Sequence, residues 1–152
     1  MENTKYYLID ASKSPLGRFS TQAAFLLMGK NDPSFAPNVV ANNIVIVINS
    51  DKLFLTGNKE LSKKYYRHSG YPGGIKERDF ADMKKNDSTE IVKKAIRGMI
   101  PHNRLETDLL KHLKIFKGND HTFTKEKLEE VHPVKSGAAG FQGAKFNEVN
   151  NG

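Results

Sequence analysis

Short apolar runs alternate along the chain with stretches of helical period. Tyr6-Tyr7-Leu8-Ile9 reads as a first strand. Ser14-Pro15 follows, N-cap chemistry with proline at the first helical position. Leu16, Phe19, Ala23, Leu26 and Leu27 then recur at helical spacing, and Gly29 is placed to end that helix in a left-handed conformation. Residues 31–43, punctuated by Pro33 and Pro37, read as a loop. Ile44-Val45-Ile46-Val47-Ile48 is β-branched throughout, without a polar position. Such a run is expected of a strand covered on both faces, at the centre of a parallel sheet. Asn49-Ser50-Asp51 is turn chemistry, residues 52–56 read as a further short strand, and Gly57-Asn58 ends it. Residues 62–68 read as a strand or extended arm.

The second half continues the alternation. Residues 79–85 form one short predicted helix, and Asp87 with Glu90 three positions on is the signature of a new helix start. The helix opened there puts Ile91, Val92, Ala95, Ile96 and Met99 on one face, with Met99 assigned to the core, and Lys93, Lys94 and Arg97 on the other. Pro101 closes it. Leu105, Leu109, Leu110 and Leu113 mark another helix, and Lys114-Ile115-Phe116-Lys117 a last strand. A β-α-β opening with an apolar second strand predicts an α/β fold. The expected form is a three-layer α/β/α sandwich around a small, mostly parallel sheet, with a C-terminal extension. In that extension residues 125–131 read as a short helix, and the glycine-rich 136–143 as a mobile tail without a core pattern. The expected organisation is an α/β domain over 1–121 and an extension over 122–152 ordered only by partners.

Charge changes the picture from fold to function. The 152 residues carry a net charge of +7, with a sequence pI near 9.5, a balance that favours an acidic partner. The excess is concentrated: residues 57–76 hold five cations against one anion, and residues 93–117 seven against two. A chain basic only for solubility would spread its charges more evenly. With no cysteine, disulfides and Cys-based zinc sites are excluded. The start of the chain carries no basic-then-apolar leader pattern, and the apolar run 44–48 is too short to span a bilayer, so no membrane partner is expected.

The first basic block mixes cations, aromatic rings and glycines, the combination that grips a folded polyanion. Lys59, Lys63, Lys64, Arg67 and Lys76 are candidates for phosphate contacts. Tyr66, His68 and Tyr71 offer faces for unpaired bases. Tyr65 and Tyr66 point to opposite sides of a strand, so one of the two is expected in the core. Gly73 and Gly74, with Gly70, make a tight turn whose backbone N–H groups can approach phosphate oxygens. The Lys-Ser/Thr ending of a nucleotide phosphate loop is missing. In the second block the candidates are Lys94, Arg97, Gly98, His102, Arg104, Lys111 and Lys114, with Arg97 and Arg104 flanking the helix break. A solvated helix face is the simpler reading of Lys93, Lys94 and Arg97.

No catalytic set emerges. His68, His102, His112, His121 and His132 lack the spacing of common metal motifs. Ser69 beside His68 is adjacency and not triad geometry. Asp79 and Asp82 share a polar segment that nothing else completes. No cofactor, metal or small-molecule substrate is expected. The competing readings are an RNA-processing nuclease and a protein–protein adaptor.

Several segments together resemble the large-subunit ribosomal protein L-thirteen family in its bacterial or organellar form. They are Tyr7-Leu8-Ile9-Asp10-Ala11, Leu16-Gly17-Arg18, Asn49-Ser50-Asp51-Lys52 and Thr56-Gly57-Asn58-Lys59, then the run from Tyr65 to Lys76, Ile96-Arg97-Gly98-Met99-Ile100-Pro101 and Leu113-Lys114-Ile115-Phe116-Lys117-Gly118. They follow the family's order and spacing from about residue 6 to residue 121. The resemblance implies a parallel-sheet α/β/α domain that binds large-subunit (23S-type) rRNA, has neighbouring large-subunit proteins as partners and performs no catalysis. It places RNA contacts in 65–76 and around 97–104. It also implies a place in the cytoplasmic large subunit, bacterial before organellar since no presequence is seen. The chain departs from the pattern in a start close to the first strand and in an extension after His132 without a family motif.

Overall fold

A computed structural model of the protein describes residues 4–123, 128–131 and 146–148. Its elements run β1 (Lys5–Asp10), α1 (Leu16–Leu27), β2 (Asn43–Ile48), a 3-10 turn (Ser50–Lys52), α2 (Lys59–Ser62), β3 (Lys64–His68), β4 (Ile75–Asp79), α3 (Phe80–Arg97), α4 (Glu106–Lys111), β5 (Leu113–Ile115), β6 (Leu128–Val131) and β7 (Phe146–Glu148). The main sheet has the order β5-β2-β1-β6-β7. Its first four strands are parallel, and β7 pairs antiparallel to β6. This is the expected α/β fold, a mostly parallel sheet flanked by helices. A separate two-stranded sheet, β3 with β4, stands outside it.

The apolar run of β2 earns its central position. Strand alternation puts Val45 and Val47 on the face they share with Tyr7, Ile9 and Leu113, under a layer built from Phe19, Leu26 and Leu27 of α1 and Phe80, Ile91 and Ile96 of α3. Ile46 points the other way and is still 0 % exposed. On that second face the rings of Tyr6 and Phe123 lie 6.0 Å apart and those of Phe116 and Phe123 6.4 Å, so the segment after β5 folds back over the sheet. Each such side chain taken fully out of water contributes about 1.5–3 kcal/mol.

Helix ends follow sequence chemistry in part. Gly29 adopts φ +74°, as expected. Its N–H donates to Leu26 O and the Lys30 N–H to Phe25 O, the paired bonds that close a helix through a left-handed residue. A Cβ on Gly29 would lie 2.5 Å from that of Ala41, so close packing adds to the backbone demand. Ser14 is not the cap. Pro15 holds that position with extended backbone (ψ 147°), and the hydroxyl of Ser14 is buried without a partner among the described residues. The first turn is served from elsewhere: the Leu16 N–H donates to Phe54 O at 3.0 Å.

That bond explains why residues 52–56 are not a strand. The backbone groups there are spent singly, Leu53 O on Lys84 Nζ (2.8 Å), Phe54 O on Leu16 and Leu55 N–H on Glu60 Oε1 (3.2 Å), leaving no ladder to form. Asp87 breaks α3 into the two expected segments, with φ −152° inside an otherwise helical run. Its Oδ1 accepts the Thr89 N–H at 3.1 Å and the Thr89 hydroxyl at 2.7 Å, the capping role read from the sequence. Met99, assigned to the core, is 39 % exposed because α3 ends at Arg97. Leu113 belongs to β5 and not to the preceding helix. The helix expected over 125–131 is also corrected. Leu128–Val131 is a strand parallel to β1, with Val131 in the core, since the open edge of β1 offers a ladder that a short helix would leave unpaired. Residues 125–127 and the glycine-rich 136–143 lie outside the described residues.

Candidate nucleic-acid interface

The β3–β4 hairpin carries most of the first basic block. Every one of its ten strand residues is exposed except Tyr65, which is half-buried against the core. Its root is tied down by the Phe80 N–H donating to Lys63 O at 3.0 Å. At its tip the Ser69 N–H donates to Gly74 O and the Gly74 N–H to Tyr71 O, both at 2.9 Å, and Gly73 takes φ +72°. A Cβ on Gly74 would sit 1.9 Å from Ser69 Oγ and 2.8 Å from Tyr71 O, so the tip needs glycine there.

Register sorts the hairpin's chemistry. Tyr65 pairs with Arg78 and Arg67 with Lys76, and residues directly opposite share a face. One face therefore carries Arg67, Lys76 and Arg78 around Tyr65, and none of these three cations has an ion-pair partner among the described residues. The other face holds Lys64, Tyr66 and His68 opposite Asp79, Glu77 and Ile75. There Lys64 is paired with Glu77, and that ion pair raises the lysine pKa. Tyr66 (64 % exposed) and Ile75 (66 %) set two exposed apolar side chains among those charges, and Tyr71 is exposed at the tip. Arg78 was missed in the sequence reading. The signal was present, since a strand period carried across the glycine turn puts position 78 in line with 76.

The two basic blocks meet at Tyr65. Lys63 Nζ lies 5.4 Å from its ring centroid and Lys94 Nζ 5.5 Å, cation–π contacts each contributing about 0.5–1 kcal/mol at an exposed site. Burial pushes the Tyr65 phenol pKa up, so it stays neutral. Lys94 also pairs with Glu90 at 2.9 Å. Further along, Arg97 and His102 both bind Glu106, at 2.5 Å and 3.1 Å. Lys111 pairs with Asp108 at 2.7 Å. Lys59 and Arg104 are exposed without an ion-pair partner among the described residues. Lys114 is exposed on β5 on the face away from α1 and α3, opposite Ile46 in register, so it does not join the Tyr65 surface. Gly98 is right-handed (φ −65°), and a Cβ on it would make ordinary contacts, so the helix end does not require glycine.

Among the described residues no group of three or more His, Asp or Glu could hold a metal, and no helix is long and apolar enough to cross a membrane. Fold and surface together define a class: a small parallel α/β scaffold that presents a cationic ribbon. The family model for ribosomal protein L13 matches residues 4–122, and the chain belongs to that family, one of ribosomal proteins and not of enzymes. Among its relatives is the large ribosomal subunit protein uL13 of Bifidobacterium longum, 47 % identical over 122 residues, covering 80 % of this chain and 81 % of the relative. The protein of the same name from Pelotomaculum thermopropionicum is 45 % identical over 129 residues (85 % and 90 %), and that from Halorhodospira halophila 45 % over 116 (76 % and 82 %).

Proposed function

We propose that this protein is a structural constituent of the large ribosomal subunit that binds 23S-type rRNA in the bacterial cytoplasm, beside neighbouring large-subunit proteins, without catalysing a reaction. The α/β sheet is the rigid mount. The cationic face of the β3–β4 hairpin and the adjoining lysines around Tyr65 neutralise phosphates where RNA segments approach one another, so that strands repelling each other in free RNA are held together during subunit assembly. Lys59, Lys63, Arg67, Lys76, Arg78, Lys94, Arg97 and Arg104 make the phosphate contacts, and Tyr66, His68 and Tyr71 lie against bases.

The observation that carries this reading is the sorting of Arg67, Lys76 and Arg78 to one face of an exposed ribbon, without carboxylate partners among the described residues. Cations that serve only solubility would be interleaved with acids, as on the ribbon's other face. Binding to a transcribed large-subunit rRNA tests it. With about eight phosphate contacts, affinity falls roughly ten-thousandfold between 50 and 200 mM salt. A nearly flat salt titration, or failure of the tagged chain to sediment with large ribosomal particles in a lysate, contradicts it.

A further inference from the structure

Of the two carboxylates inside the second basic block, Glu106 is the more buried. The Glu106 side chain is only 12 % exposed, yet its neighbours Arg97 and His102 are open to solvent. Oε1 accepts from Arg97 Nε and Oε2 faces His102 Nδ1 at 3.1 Å, so both oxygens are occupied by different partners. A carboxylate only accepts, which means that His102 carries a proton on Nδ1. The three residues span the break between helices: Arg97 ends α3, His102 lies in the connection and Glu106 opens α4. That connection is also pinned without the carboxylate. Ile100 is buried, the Asn103 side chain accepts the Leu105 N–H at 3.0 Å, and Asn103 O accepts the Glu106 N–H at 3.1 Å.

By charge alone, an acid here opposes RNA binding. Its geometry does the reverse. Bound through Nε, the Arg97 guanidinium is fixed in plane and direction and keeps its terminal N–H groups for an external acceptor. An unrestrained arginine would lose more conformational freedom on binding. We infer that Glu106 is a positioning residue that aims Arg97 at a phosphodiester of bound RNA, while His102 braces the carboxylate from the other side. The inference rests on the rRNA-binding reading above and deepens it by giving an acidic residue a constructive part. The hydrogen bonds from His102 and then Arg97 hold the Glu106 pKa below the usual carboxylate range, keeping the brace ionised at neutral pH.

The test uses the full chain and a transcribed large-subunit rRNA, and its strength is that the two views differ in sign. E106A removes a negative charge from a basic surface. Electrostatics alone predicts tighter binding, whereas positioning predicts binding weaker by about three- to tenfold. The paired measurement is a double-mutant cycle. R97A costs about tenfold in the native background and less than threefold beside E106A, while K76A on the hairpin costs the same in both. E106Q, which keeps the acceptor, recovers part of the loss. If E106A melts early, the cycle is repeated with E106Q, where the cost of R97A is expected between those two values. Equal cost of R97A in every background, or tighter binding by E106A, overturns the inference and leaves the rRNA reading standing. A native protein that does not bind the transcript overturns both.

Discussion

Ile46 and Ile75 are the same side chain in two regions that obey different rules. In β2, Ile46 lies between two neighbouring parallel strands and is fully covered on its face of the sheet. In β4, Ile75 stands on a ribbon that covers almost nothing and is covered by almost nothing. A two-stranded ribbon is marginal by itself in water. This one is held by its root, through the Phe80–Lys63 hydrogen bond and the half-buried Tyr65. The sheet's residues are thus explained by burial. The hairpin's residues are not: one face carries cations without carboxylate partners among the described residues and the other mixes rings with paired charges, a sorting that fits the proposed RNA partner. In the proposed function, binding falls where stability is least invested.

Substitutions can break or sharpen that contrast. The largest effect is expected in the sheet: Ile46→Ala should cost about 2–5 kcal/mol, read from urea unfolding, through lost burial and a cavity that neighbouring strands cannot fill. Asp87→Ala removes the acceptor for the Thr89 N–H and hydroxyl and should cost about 1 kcal/mol. A smaller effect concerns acid. Burial opposes ionisation of Asp10, but hydrogen bonds from Ser12 and Asn49 and the charge of Lys13 outweigh it, so its pKa in the fold lies below the usual aspartate range. A group with a depressed folded pKa adds stability above its unfolded pKa and loses it as pH falls through the folded value. Stability should therefore decline below about pH 4, and Asp10→Asn should flatten that decline. Ile75→Ala should change stability by less than about 0.5 kcal/mol. A cost for Ile75→Ala comparable to that for Ile46→Ala would erase the distinction between the two regions.

How much of this was readable in the sequence follows the same division. The uniform β-branching of 44–48 announced a central strand, Gly29 announced a helix end, and Asp87 with Glu90 announced a second helix start, because each is a local signal with a local cause. Residues 52–56 and Leu128–Val131 were misread for the opposite reason. Residues 52–56 lose their ladder to partners at Leu16 and Lys84, and Leu128–Val131 gains one from β1, far away in the chain. At the site, the cations were visible as a block, but which of them stand without carboxylates was not. Lys64, Lys111 and Arg97 look like Arg67 and Lys76 in sequence, and only pairing with Glu77, Asp108 and Glu106 separates them. Arg78 lay in a stretch (77–92) of three cations against five anions, and only a strand period carried across the glycine turn marks it in the sequence.

The claim that this face of the ribbon meets rRNA phosphates is tested most directly by the salt dependence of binding in the triple variant R67Q/K76Q/R78Q. Losing three contacts should lower the slope of log affinity against log salt by about two to three, with the unfolding curve unchanged. A slope identical to that of the native protein would contradict the account.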